Sequence, residues 1–271
     1  MTSADMERDD AAAKQAVLYR VESGIATITL NRPEQRNALS IAAAERLHQI
    51  WGEVDADDRV RVVVLTGADC GTFCAGMDLK EAARVQRERN CDILDVLTDP
   101  FYERMRAVAK PIVAAMTGHF AAGGMMLSLN CDLRVGLAGT RGGITEARIG
   151  RGSPWAVPML WMLPQPVLME MTLTGEMIDI ERLHSLGFVN YVEPTPDAVR
   201  ARAYELATRI RDNAPLTVRA GKAALLAAVS LGCEDGVARA KEIYKPVYAS
   251  ADAQEGARAF AERRPPRWLG R

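Results

Sequence analysis

Cysteine and histidine are scarce in this chain of 271 residues, with five of the first and three of the second. The cysteines (Cys70, Cys74, Cys91, Cys131 and Cys233) are odd in number and form no paired framework, which suits a reducing compartment. Cys70 and Cys74 have no second close cysteine or histidine pair, and His48, His119 and His184 are widely spaced, so no metal site is expected. No apolar run reaches the roughly 20 residues of a membrane-spanning helix. Residues 1–14 lack the cationic start and apolar core of a secretory signal, and they read as a flexible leader. A net charge of −1 gives neither nucleic acid nor an anionic membrane a global attraction. With 48% apolar and 25% charged residues the chain is a folded protein rather than a disordered one, and the expected location is cytoplasmic.

The hydrophobic pattern describes an α/β core followed by helices. Val17 to Val21 and Ile25 to Leu30 are β-prone runs separated by Glu22-Ser23-Gly24, a hairpin signature. Ser40 is placed to cap a helix whose apolar positions Leu47, Ile50, Trp51 and Val54 share one face. Val62 to Thr66 is a candidate buried strand ending at Gly67, and a loop from Ala68 to Met77 leads to a helix start at Asp78. Ile112 to Met116 and Leu133 to Leu137 are further strands, with a helix from Met125 to Leu129 between them. Beyond Pro194-Thr195-Pro196 only helical patterns remain, and no internal repeat of fixed period is visible.

Two loops have the makings of chemistry. Phe73-Cys74-Ala75-Gly76-Met77-Asp78-Leu79-Lys80 joins a strand to a helix start, where backbone N–H groups are free to meet a ligand. Gly118-His119-Phe120-Ala121-Ala122-Gly123-Gly124 opens another helix with glycines that admit a ligand to the backbone. The second loop lacks the spacing of a dinucleotide-binding fingerprint, and it lacks the Lys-Ser/Thr that a phosphate loop needs. What remains is a pair of loops able to donate N–H groups to a developing oxyanion. Whether they converge is a matter of tertiary structure.

These segments, taken in order, resemble the enoyl-CoA hydratase/isomerase (crotonase) superfamily across nearly the whole chain. The resemblance is carried by Asn31-Arg32-Pro33 with Arg36-Asn37-Ala38-Leu39, by Phe73 to Lys80, by Lys110-Pro111 through Gly118 to Gly124, and by Cys131-Asp132. Leu173-Thr174-Gly175-Glu176, Leu186-Gly187-Phe188-Val189 and Glu255-Gly256 with Ala259-Phe260 extend it. It implies a ββα spiral core over 15–195 and a helical trimerisation domain over 196–271, assembled as a homotrimer or a dimer of trimers. It further implies an acyl-CoA substrate, no cofactor beyond that coenzyme A moiety, and an oxyanion hole at the N–H groups of Met77 and Gly123. Arg36, Ala38, Ala75, Asp78 and Leu79 fall where the family contacts coenzyme A.

The departure lies in the acids. Family hydratases use two glutamates, and Met126 stands at the first position, where a thioether can neither accept nor donate a proton. Glu146 stands at the second. One carboxylate suffices for a 1,3-proton shift, so the expectation is double-bond isomerisation or an atypical hydration or dehydration. The alternative is an acyl-CoA binder that has kept the fold and lost turnover.

Overall fold

The computed structural model describes residues 13–271. The expected leader over 1–14 lies outside the described residues except for Ala13 and Lys14, which open a helical turn. The described residues form ten strands in two sheets. Numbered along the chain, the large sheet holds β1 (Val17–Glu22), β2 (Ile25–Leu30), β3 (Val62–Gly67), β5 (Ile112–Met116), β7 (Leu133–Leu137) and β10 (Tyr191–Glu193), side by side in that order. The small sheet holds β4 (Thr72–Cys74), β6 (His119–Ala121), β8 (Arg141–Gly143) and β9 (Met177–Asp179). Only β1 with β2 and β8 with β9 run antiparallel.

The β1–β2 hairpin turns more tightly than its sequence suggests. Glu22 pairs with Ile25, so Ser23 and Gly24 alone make the turn, both at positive φ (47° and 82°). That geometry matches the right-handed twist of the paired strands.

From β3 onward the chain repeats one unit. A strand of the large sheet is followed by a short strand of the small sheet and then by a helix. β3 and β4 lead to the helix Leu79–Arg89, β5 and β6 to the helix Gly123–Leu129, and β7 and β8 to the 3-10 segment Glu146–Ile149. This is the ββα spiral.

The large sheet is apolar on both faces, as a central parallel sheet requires. Val63 and Leu65 of β3 join the main core with Leu47, Ile50, Trp51 and Val54 of the helix Ile41–Ala56, whose first turn is capped by Ser40 Oγ accepting from Ala43 N. The alternate residues Val62 and Val64 meet Val199, Ala203, Leu206 and Ala207 of the helix Pro196–Arg211 on the opposite face. No helix among the described residues is long and apolar enough to cross a membrane.

Two cations, Arg134 and Lys222, tie the elements together. Arg134 is 7% exposed and has no carboxylate partner among the described residues; it donates to the carbonyls of Phe188, Ser128 and Cys131 and lies 4.7 Å from the centre of the Phe188 ring. It thereby caps the C-terminal end of the helix Gly123–Leu129. Lys222, from the helix Pro215–Ala228, reaches Asp132 Oδ2 at 2.8 Å and the Lys110 carbonyl at 3.1 Å, while Asp132 Oδ2 also accepts from Ile112 N. Asp132 therefore pairs with Lys222, and Arg148 pairs with Glu176.

Lys222 is nearly buried, so removing its charge leaves Asp132 without its cation. Lys222→Met is expected to cost roughly 2–4 kcal/mol of stability. Urea unfolding followed by circular dichroism would measure it, and an unchanged midpoint would mean the helix is held by packing alone.

Candidate active site

The small sheet lines up the three segments singled out in the sequence. β4, β6 and β8 are adjacent and parallel, with Cys74 beside Phe120 and Ala121 beside Gly143. Their carboxyl ends therefore lie side by side, and the three strands deliver their succeeding residues to one edge: Met77 after β4, Gly123 after β6 and Glu146 after β8. The carboxyl edge of parallel strands is where α/β proteins place ligands.

The first two loops touch through their backbones. A methyl group added at Gly76 would come within 2.9 Å of the Ala122 methyl and 3.0 Å of the Gly123 nitrogen. Gly76 also sits at φ 91°, a conformation that favours glycine. A Cβ at Gly124 would fall 2.1 Å from the Cys74 carbonyl oxygen, so only glycine lets this helix rest on β4.

Leu39 fixes the direction of the Met77 peptide. Its N–H donates to the Gly76 carbonyl at 2.8 Å, and its own carbonyl accepts from Asp78 N at 3.0 Å. In a parallel bridge the residue between those two bonds turns its own N–H to the other side. Neither Met77 N–H nor Gly123 N–H has an acceptor among the described residues. Ala122, just before Gly123, is held at φ 50° and ψ −117° by its N–H to the Gly143 carbonyl and by Met126 N donating to its own carbonyl. This conformation costs an alanine about 1–3 kcal/mol.

Both loops border a cavity of about 260 Å³. Met77, Gly123, Met126, Glu146 and Trp155 line it, with Leu94, Leu97, Phe101 and Tyr102 forming an apolar and aromatic wall. Glu146 is 7% exposed, and its Oε2 has no hydrogen-bond partner among the described residues. Burial raises its pKa above the ordinary 4.5, partly offset by the Trp155 indole and the peptide N–H groups of Glu146 and Thr145. Cys74 beneath the site supplies no nucleophile, because burial pushes its thiol up to about 12.

The five residues expected to meet coenzyme A divide into two groups. Ala75 and Leu79 line the cavity, whereas Arg36, Ala38 and Asp78 lie in the loops that build its rim. The Asp78 side chain is already engaged: it caps the helix Leu79–Arg89 and pairs with Arg32 at 2.9 Å. Burial pushes its pKa up, but Arg32 and the N–H groups of Glu81 and Lys80 outweigh this and hold it below the usual value. Ala38 offers its carbonyl to Arg32, and the Arg36 carbonyl accepts from Ala75 N. Arg264, near the end of the chain, is bound to the buried Glu255.

Tyr102 and Ala122 carry no signal in the sequence. Alanine gives no sign of positive φ, and a tyrosine in Asp99-Pro100-Phe101-Tyr102-Glu103 looks like part of a surface turn.

The raised pKa of Glu146 has a consequence for stability. Below pH 4.5 its carboxyl is protonated in both the folded and the unfolded chain. As pH rises further the unfolded chain ionises first, so stability is lost up to the raised pKa and not regained above it. Glu146→Gln is therefore expected to raise the melting temperature at pH 8, with the gain disappearing near pH 4. Equal gains at both values would assign the effect to packing.

Comparison with known proteins gives one answer. The family model described as enoyl-CoA hydratase/isomerase matches residues 20–271. The (E)-benzylidenesuccinyl-CoA hydratase of Thauera aromatica is 36% identical over 261 residues, covering 94% of this chain and 99% of that protein. The 2,3-dehydroadipyl-CoA hydratase of Escherichia coli is 31% identical, with 90% and 94% covered. The crystal structure of an enoyl-CoA hydratase from Mycobacterium tuberculosis superposes with a TM-score of 0.86 at 36% identity, covering 95% of this chain and all of that one. One from Bacillus anthracis gives 0.88 at 30% identity, with the same coverage. With its spiral core and the match over residues 20–271, the chain belongs to the enoyl-CoA hydratase/isomerase family, enzymes that act on CoA thioesters.

Proposed function

We propose that the protein moves a double bond in an acyl-CoA thioester by way of an enolate, with Glu146 as its single proton carrier. The observation that carries this reading is the presence in one cavity of Met126 and a buried Glu146 whose Oε2 has no hydrogen-bond partner among the described residues. The thioester carbonyl accepts from Met77 N–H and Gly123 N–H. Glu146 takes a proton from the carbon next to the carbonyl, and the electron pair moves into the enolate oxygen. The same carboxyl then returns that proton two carbons further along, which turns a 3-enoyl ester into a 2-enoyl ester.

Each oxyanion donor contributes about 3–4 kcal/mol to such a step. The raised pKa of Glu146 suits a group that must both take and give the proton. Main-chain groups of Arg36, Ala38, Ala75, Asp78 and Leu79 hold the coenzyme A portion, and no further cofactor takes part. Hydration or dehydration is the second form of this chemistry, with water or a substrate group standing in for the acid that Met126 replaces. A binder without turnover is the rival reading, motivated by the same methionine.

Assembly as a homotrimer or a dimer of trimers belongs to this proposal. Its support is apolar surface that no described part of this chain covers, including Leu225, Leu173 and Phe260, which are 75%, 74% and 88% exposed.

The test is an assay of purified protein with 3-enoyl-CoA and 2-enoyl-CoA. Glu146→Gln is expected to lose roughly 10²- to 10⁴-fold in rate. Equal rates for the two proteins would remove Glu146 from the mechanism, and CoA binding without any turnover would favour the binder. Met126→Glu is expected to gain hydration of 2-enoyl-CoA relative to isomerisation. Sedimentation equilibrium is expected to give three or six times the mass of the chain; a monomer would count against the assembly.

A further inference from the structure

The apolar wall of the cavity contains one polar group that neither the proton transfer nor the coenzyme A contacts use. Tyr102 is 4% exposed and packs in the main core, yet it lines the cavity beside Leu94, Leu97 and Phe101. Its peptide is satisfied, with N–H donating to the Asp99 carbonyl and its own carbonyl accepting from Arg106 N. Its hydroxyl has no partner among the described residues, and it is not among the polar atoms sealed from solvent. It opens on the cavity.

The side chain is also held in place. Tyr102 adopts a left-handed conformation (φ 55°, ψ 39°), rare for a bulky residue. The turn is fixed by Asp99, whose carboxylate accepts from Glu103 N and Arg104 N, both at 2.8 Å. Burial above all, with Asp99 adding to it, pushes the phenol's ionisation up, so it stays a neutral donor.

Water can satisfy this hydroxyl while the cavity is open. An alkyl tail that fills this end of the cavity expels the water and leaves a buried hydroxyl unpaired, whereas a tail with an oxygen acceptor restores the bond. We propose that Tyr102 is a specificity-determining residue, selecting acyl groups that carry a neutral oxygen acceptor such as a carbonyl, ether or hydroxyl away from the thioester. The nearby Asp99 carboxylate disfavours an anionic tail. This inference rests on the acyl-CoA reading above.

Calorimetric titration with hexanoyl-CoA and octanoyl-CoA against 5-oxohexanoyl-CoA and 7-oxo-octanoyl-CoA tests it. None of the four requires turnover. The wild type is expected to bind at least one oxo ester about tenfold more tightly than its unsubstituted partner. Tyr102→Phe, which deletes one oxygen and keeps the ring, is expected to bind the two members of that pair alike. With 3-octenoyl-CoA and 7-oxo-3-octenoyl-CoA, whose ketone is not conjugated with the double bond, the preference should fall in KM rather than kcat, because the contact is the same in ground and transition states. A wild type that does not discriminate, or a Tyr102→Phe protein that still does, would overturn the assignment. Failure of all four esters to bind would overturn the acyl-CoA reading and this inference with it.

Discussion

The site depends on the parallel pairing of three very short strands. β4, β6 and β8 contribute three residues each, and their register sets Met77, Gly123 and Glu146 along one edge. None of these strands would persist alone. Each is held because the preceding strand of the large sheet is anchored on both faces by apolar packing. The spiral thus converts the stability of a large buried sheet into the placement of three loops. Close contact between Gly76 and Gly123, and between Gly124 and Cys74, completes the arrangement.

The candidate site holds groups in states that folding alone would avoid. Among the described residues, Ala122 carries an unfavourable backbone conformation, Met77 and Gly123 have unused N–H groups, and Glu146 is buried without a partner for one oxygen. Each works against stability, and all lie around one cavity. Outside the cavity some buried groups are matched, as where Asn37, 1% exposed, donates to the Ala68 and Thr72 carbonyls and Glu255 receives Arg258 and Arg264, while others, such as Trp51 Nε1 and Asn130 Nδ2, are buried without a partner among the described residues. What sets the cavity apart is the combination of a strained peptide, two N–H groups facing the same space and a buried carboxyl, which marks chemistry or binding rather than architecture.

Much of the large sheet was legible because its residues are β-branched and buried on both faces, as in Val62 to Leu65. The caps at Ser40 and Asp78 were legible because their side chains do what their chemistry favours. The small sheet was not. Arg141-Gly142-Gly143 has poor strand propensity, and it pairs because Gly142 makes room for the Phe120 ring, which a Cβ would approach to 2.2 Å. Glu146 was found through resemblance, since a glutamate in Ile144-Thr145-Glu146-Ala147 gives no local sign of burial. The convergence of the two loops and the inward turn of Tyr102 depend on tertiary packing, which local pattern does not encode.

The buried Arg134 reaches beyond the packing it secures. Its guanidinium sits at the carboxyl end of the seven-residue helix Gly123–Leu129, whose other end presents the Gly123 N–H. At a rise of about 1.5 Å per residue the two ends are roughly 10 Å apart. That is comparable to a Debye length in physiological salt, but the path runs through protein interior rather than electrolyte. The positive field along this helix is therefore built in. Dissolved ions, which weaken the surface pairs of this arginine-rich chain, have little hold on the polarity at the mouth of the cavity.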